Sequence, residues 1–159
     1  MYSKARMEVI IQIAEPLGEG VHAAFYSYGD KLGIKVFHTR YETIKEAKES
    51  GSWIQAKDEI DNLEKARKVF PYCPKAYKRL LVKSEGYYRV VLVMDLIEGE
   101  PISYQDYEDR KFNKVRSSLY NKLKKLGIYH EDLNRGNIIK CKNKYWIVDW
   151  GDWVSFQPA

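Results

Sequence analysis

The chain has 159 residues, 45% of them hydrophobic and 31% charged, enough for a packed core with a well-solvated surface, which excludes a disordered tail, a collagen-like repeat and a disulfide-stapled miniprotein. The formal net charge is +5 and the sequence pI about 9.0, a mild basic balance that permits an anionic partner without requiring one. Only two cysteines occur, Cys73 and Cys141, in no metal-binding spacing, and there is no signal-peptide pattern, membrane span or lipidation motif, so the expectation is a cytoplasmic, intracellular protein with no membrane partner.

In chain order, Glu8–Ala14 is β-branched and partly alternating, the pattern of a first strand. After a glycine-containing turn at Leu17–Gly20, Val21–Tyr28 and Gly33–His38 read as strands joined by the turn Tyr28–Lys31, a small antiparallel meander. Glu42–Glu49 has helix-forming composition, with Gly51 as its stop. Ser52 and Gln55 then form a capping-box pattern. Trp53, Ala56, Ile60, Leu63, Ala66, Arg67 and Phe70 step by three or four, one face of a helix bounded by Pro71 and Pro74. Lys78–Lys83 and Tyr87–Leu96 are two more strands around Ser84–Gly86.

The character of the chain changes after Glu98–Pro101. Tyr107–Leu126 predicts a helix with Val115, Leu119, Leu123 and Leu126 on one face and Gly127 at its C-cap. A polar loop, His130–Asn137, leads into two short strands, Asn137–Lys140 and Lys144–Trp150, around Cys141–Asn143. The order predicts an α+β fold: a β-rich part over residues 1–97 with one long helix, then a mostly helical part over residues 98–159 that ends in a hairpin. No internal repeat or low-complexity segment interrupts it.

His130-Glu131-Asp132-Leu133 with Asn137 spells H-x-D-L-x-x-x-N, and Asp149-Trp150-Gly151 places D-x-G at the end of an apolar strand. In this order and spacing the two motifs resemble the protein-kinase-like superfamily. The loop lacks H-R-D and is closest in style to RIO-type, lipopolysaccharide-core, aminoglycoside and tRNA-threonylcarbamoylation-complex kinases. The resemblance runs from about Glu8 to Trp153. It implies a two-lobed kinase-like fold with a truncated helical C-lobe, and a phosphotransferase using ATP and Mg²⁺. Asn137 and Asp149 would be the metal ligands, since an amide carbonyl and a carboxylate suit a hard cation. Asp132 would orient the acceptor hydroxyl and take its proton, while His130 packs beneath the loop.

The same resemblance assigns residues in the N-terminal half. Gly18-Glu19-Gly20-Val21-His22-Ala23 is similar to the glycine-rich phosphate loop, as G-x-G-x-x-A, with Gly18, Gly20 and Ala23 at the three small positions. Lys35 stands where the family's strand lysine stands. Its partner on the helix is Glu59, about 50° from the centre of the apolar face, with Glu64 at about 90° as the fallback. Val90–Gly99 resembles the hinge strand, with Met94 as gatekeeper and the backbone of Asp95 and Ile97 meeting the adenine edge.

Asn134 departs from eukaryotic protein kinases, which carry a lysine there, and Arg135 is the nearest source of positive charge. The expected acceptor is a protein Ser or Thr, because small-molecule kinases build their acceptor pocket from later helices. A protein substrate or partner is therefore expected. The alternative is an ATP-binding, pseudokinase-like regulatory subunit of weak turnover that acts through a partner. Lys122, Lys124 and Lys125, and Lys140, Lys142 and Lys144, read as solvated faces, with a nucleic-acid surface as the lesser reading. Trp153 and Phe156 either fold back or mark a partner contact.

Overall fold

The computed structural model describes residues 2–102 and 108–157. The chain forms two compact units, Met1–Ile60 with Ala76–Leu96, and Asp61–Lys75 with Ile97–Ala159. The segment Asp61–Lys75 thus clusters with the second unit although it lies well inside the residues 1–97 of the expected first part.

The first unit contains strands β1 (Gly18–Glu19), β2 (Ala23–Tyr28), β3 (Leu32–Phe37), β4 (Ala76–Ser84) and β5 (Tyr87–Asp95). They form one antiparallel sheet in the order β1-β2-β3-β5-β4. Strand alternation sorts the side chains. Ala24, Tyr26, Ile34, Val36, Val82, Val91 and Val93 form one buried cluster, while Lys35, between Ile34 and Val36, points to the opposite face. Gly33 in β3 permits a close approach: any Cβ there would collide with the ring of Phe25.

Helix α1 (Lys4–Ile13) covers the apolar cluster with Met7, Ile10 and Ile11. This corrects the strand expected at Glu8–Ala14. The run Val9-Ile10-Ile11 has strand-like composition, but Met7, Ile10 and Ile11 have the i, i+3, i+4 spacing of a helical face. Ser3 caps the helix by accepting a hydrogen bond from the Arg6 N–H (3.1 Å). Burial of that face against the sheet outweighs the modest β-preference of the residues.

Helix α2 (Ile44–Lys48) is capped by Thr43, whose Oγ1 accepts from the Glu46 N–H (3.1 Å). Gly51 does not end this element; it is the first residue of helix α3 (Gly51–Arg67). The cap of α3 is also not Ser52. Ser50 Oγ accepts from the Trp53 N–H (3.2 Å), while Ser52 Oγ accepts from the Tyr41 hydroxyl (3.0 Å). Along α3, Ala56, Glu59, Leu63 and Ala66 are fully buried, so one carboxylate sits in an otherwise apolar stripe.

The second unit holds β6 (Glu100–Pro101), α4 (Asp109–Lys125), β7 (Ile128–His130), β8 (Ile138–Cys141), β9 (Lys144–Ile147) and β10 (Val154–Phe156). The expected start of α4 at Tyr107 lies outside the described residues. Leu119 and Leu123 bury the inner face of α4. Gly127, with φ +79°, ends the helix in the left-handed conformation; a Cβ there would lie 2.7 Å from the Gln157 carbonyl oxygen. The chain folds back after the D-x-G, and β10 pairs antiparallel with β7. Phe156 is half-buried in that strand, whereas Trp153 remains 73% exposed. No described helix is long and apolar enough to cross a membrane.

The two thiols differ sharply in environment. Cys73 is fully buried, and burial pushes its thiol up to about 12, opposed only in part by Arg67. Cys141 is half-buried in β8. A thiol reagent at pH 8 should therefore modify one cysteine quickly in the native protein and the second only on unfolding. In the unfolded chain Cys73 ionises near its ordinary value, about 8.5. Its contribution to stability is therefore intact below that pH and declines as pH rises toward 12. Mass-resolved labelling checks the order; fast modification of Cys73 would contradict this packing.

Candidate active site

In the first unit, the residues expected at the phosphate end lie in the β1–β2 hairpin. Gly18 pairs with Phe25, the Gly20 N–H donates to the Ala23 carbonyl (2.9 Å), and Val21 projects at the tip, 89% exposed. A Cβ on Gly18 would meet nothing within 4 Å, and one on Gly20 only the Ala23 carbonyl at 3.8 Å. Neither glycine has the positive φ that would require it. Contacts within the chain therefore do not account for these glycines, and the open backbone fits close approach of a phosphate.

Lys35 lies on the sheet face opposite α1. Its Nζ is 2.9 Å from Glu59 Oε2, with the glutamate side chain fully buried and the lysine 15% exposed. Glu64, the alternative partner, is exposed and lies in the second unit. A buried carboxylate in an apolar stripe is costly unless it is paired, and this pairing answers that cost. Met94 is buried in β5 opposite Gly33 and Ala76. The Leu96 N–H donates to the Lys31 carbonyl (2.9 Å), so alternation turns the backbone groups of Asp95 away from β3. The Asp95 side chain accepts from the Tyr77 hydroxyl. Ile97 follows, half-buried, outside any strand.

In the second unit, hydrogen bonds define the His130–Asn137 loop. His130 is buried at the end of β7. Its Nδ1 accepts from the Asp132 N–H (3.2 Å), so Nε2 carries the proton and donates to the Asp149 carbonyl (2.6 Å). Burial lowers the His130 pKa, against the pull of the Asp149 carbonyl and the Asp149 and Asp132 carboxylates, and holds the ring neutral in this tautomer. Its ring also meets Trp150 edge-on at 4.9 Å. One imidazole therefore ties the H-x-D segment to the D-x-G segment.

Both oxygens of the Asp132 carboxylate are held by amides: Oδ1 accepts from Asn134 Nδ2 (3.0 Å) and Oδ2 from Asn137 Nδ2 (3.2 Å). Asn137 Nδ2 also donates to the Asp132 carbonyl (2.9 Å). With its amino group so engaged, Asn137 presents its carbonyl oxygen elsewhere. Asn134 Oδ1 in turn accepts from the N–H groups of Gly136 and Asn137 (2.9 and 3.2 Å), closing a short 3-10 turn at Arg135–Asn137. This role of Asn134 was missed in the sequence, although Asn before a glycine-containing turn is its signal. Arg135, whose spacing does not match the family's lysine, engages α4. Its Nη2 bonds Asp109 Oδ1 at 2.6 Å, and its guanidinium lies 4.5 Å from the centre of the Phe112 ring.

The β8–β9 hairpin sets the remaining pair. Ile138 is opposite Ile147, and the Val148 N–H donates to the Asn137 carbonyl (3.0 Å), so Asn137 and Asp149 come to the same hairpin end. Asp149 Oδ1 accepts from the Gly151 N–H (3.2 Å). Trp150 is fully buried, its indole N–H bonded to the Ile147 carbonyl (2.8 Å) and its own carbonyl to Asn62 (2.7 Å). Among the described residues no three His, Cys, Asp or Glu side chains gather as a metal site. An amide oxygen with a carboxylate is nevertheless a donor set that suits Mg²⁺ alongside phosphate and water oxygens.

The RIO domain model matches residues 21–158, most of the chain. No curated protein matches it. Among solved structures it is similar to monomeric WbdD (TM-score 0.58, 19% identity, 86% of this chain and 33% of that one). It is also similar to WbdD crystallised with the kinase inhibitor LY294002 (TM-score 0.53, 17% identity, 87% and 32%). A third is the bifunctional kinase-methyltransferase WbdD (TM-score 0.53, 19% identity, 86% and 31%). The chain spans about a third of the length of these structures, and at such identity the likeness concerns the fold.

The buried ion pair gives a structural expectation. Lys35→Met strands a buried carboxylate and should cost about 3–5 kcal/mol. Lys35→Met with Glu59→Leu should recover most of that loss. Denaturant titrations check both; a cost below about 1 kcal/mol for the single variant would contradict a buried pair. The α+β sheet, the ordered H-x-D and D-x-G segments and the match over residues 21–158 place the chain in the RIO domain family, as an atypical member of the protein-kinase-like superfamily.

Proposed function

We propose that the protein is an ATP-dependent kinase that transfers a phosphoryl group to a hydroxyl of a protein, a Ser or Thr side chain. The observation that carries this reading is the loop in which Asn134 and Asn137 hold both carboxylate oxygens of Asp132. A carboxylate held by two neutral amides stays oriented, as a base that receives a hydroxyl proton requires. Family membership supports ATP as the donor.

The other residues take the following roles in this reading. Lys35, positioned by Glu59, binds phosphate oxygens. Gly18, Gly20 and Ala23 leave backbone open to the phosphates, and Met94, Asp95 and Ile97 meet the adenine. Asn137 and Asp149 would hold Mg²⁺, which when bound would neutralise phosphate charge. With Asn134 in place of a lysine and Arg135 bonded to Asp109, the loop brings geometry rather than positive charge.

The test is transfer from γ-labelled ATP to proteins, with ATP binding followed separately as a thermal shift. Asp132→Asn should lose about 10²–10⁴-fold in turnover while keeping the ATP-induced shift. Asp149→Asn should remain folded and lose transfer altogether. A wild-type protein that shifts with ATP and Mg²⁺ but labels no protein would defeat the kinase reading in favour of a nucleotide-binding regulator.

A further inference from the structure

Helix α4 carries seven Lys and Arg residues and one acid, Asp109, which is bonded to Arg135. At 100° per residue, Lys111, Lys114, Ser118, Lys122 and Lys125 fall in one exposed row centred about 120° from the buried Leu119 and Leu123, with Lys122 at the edge nearest them. The row is about 21 Å long at 1.5 Å per residue. Lysines in the last turn favour the helix by complementing its dipole, but Arg110, Lys111 and Lys114 lie toward the N-terminal end, where cations oppose it. Helix stability therefore does not account for the row.

The row meets a second element at an aromatic side chain. Lys122 of α4 and Lys144 of β9 each place Nζ 5.5 Å from the centre of the Tyr72 ring. The two ammoniums are thus at most twice that distance apart. Neither lysine forms an ion pair among the described residues. Tyr72 in turn meets Trp146 edge-on at 5.7 Å, and both residues are half-buried. Beside them Lys142, at the hairpin tip, holds φ +50°, a conformation lysine seldom adopts. Like charges are gathered around accessible aromatic surface, and α4 offers no exposed apolar face for a bilayer.

We propose that this face, Lys111, Lys114, Lys122, Lys125 and Lys144 around Tyr72 and Trp146, binds single-stranded nucleic acid, with phosphates on the lysines and bases against the rings. Lysines that follow a backbone, interleaved with aromatic platforms, are the chemistry that holds single strands without a sequence requirement. None of these residues is among the proposed kinase residues, so the test needs neither ATP nor turnover.

The experiment is fluorescence anisotropy of a labelled dT20 oligonucleotide with the full chain over a salt series. Five phosphate contacts give a slope of log K against log salt of about −3.5, at about −0.7 per contact. The triple variant Lys114→Gln/Lys122→Gln/Lys144→Gln should flatten that slope by about 2 and weaken binding at low salt. Lys45→Gln/Lys48→Gln/Lys78→Gln removes the same charge from exposed positions of the first unit and should leave the slope unchanged. Equal losses in the two triple variants would reduce the binding to net charge and overturn the site. Tighter binding to a duplex of the same length, or to phosphatidylserine vesicles, would overturn the assignment to single strands. Unchanged thermal melting of both variants keeps the comparison one of binding.

Discussion

A carboxylate removed from water must be matched by a cation, and this constraint sets the geometry of the first unit. Glu59 is fully buried in the inner stripe of α3, between Ala56 and Leu63, where an apolar residue would pack at no electrostatic cost. Lys35 meets it at 2.9 Å from the middle of β3. A shift of β3 by one residue would turn Lys35 toward the α1 cluster and bring Ile34 or Val36 to the glutamate. The ion pair thus fixes strand register and helix rotation together. Its stability value is small beside a hydrophobic pair of the same size; its value lies in rejecting other arrangements.

The second unit meets an analogous need with neutral amides. Asn134 and Asn137 hold the Asp132 carboxylate, and a neutral His130 bridges Asp132 to Asp149. Amide donors fix the direction of a carboxylate without placing a formal positive charge beside it. The displacement of Arg135 onto Asp109 and Phe112 belongs to the same design, since it draws the loop's one guanidinium toward α4.

Much of this was legible in the sequence because the signals were local or paired at fixed spacing. The apolar runs of β2, β3, β4 and β5 between turn signals, the three-to-four stepping of α3 and the ordered H-x-D and D-x-G motifs all survive in the structure. Lys35 and Glu59 were legible too, one as a charge in an apolar strand and the other through its angle on the helix. The helix α1 was not, because a short run of β-branched residues fits either period until a sheet is present to bury Met7, Ile10 and Ile11. Strand β10 pairs with β7 across the whole loop and hairpin, a contact that no local pattern encodes. The cap of α3 moved from Ser52 to Ser50 because Tyr41, distant in sequence, bonds the Ser52 hydroxyl.

The polar residues of the second unit fall into two physically different groups. Asn62, His130, Asn134 and Asn137 each donate or accept within the fold, and removing any one would leave a partner unsatisfied. Lys122 and Lys144 have no such role: they rest on Tyr72, a weak contact at solvent-exposed sites. Like charges three or four residues apart on a helix cost a few tenths of a kcal/mol per pair, and Lys111–Lys114 and Lys122–Lys125 both have that spacing. A fold that satisfies its buried amides so fully, yet leaves a row of repelling charge on one face, places that charge where an external anion can relieve it.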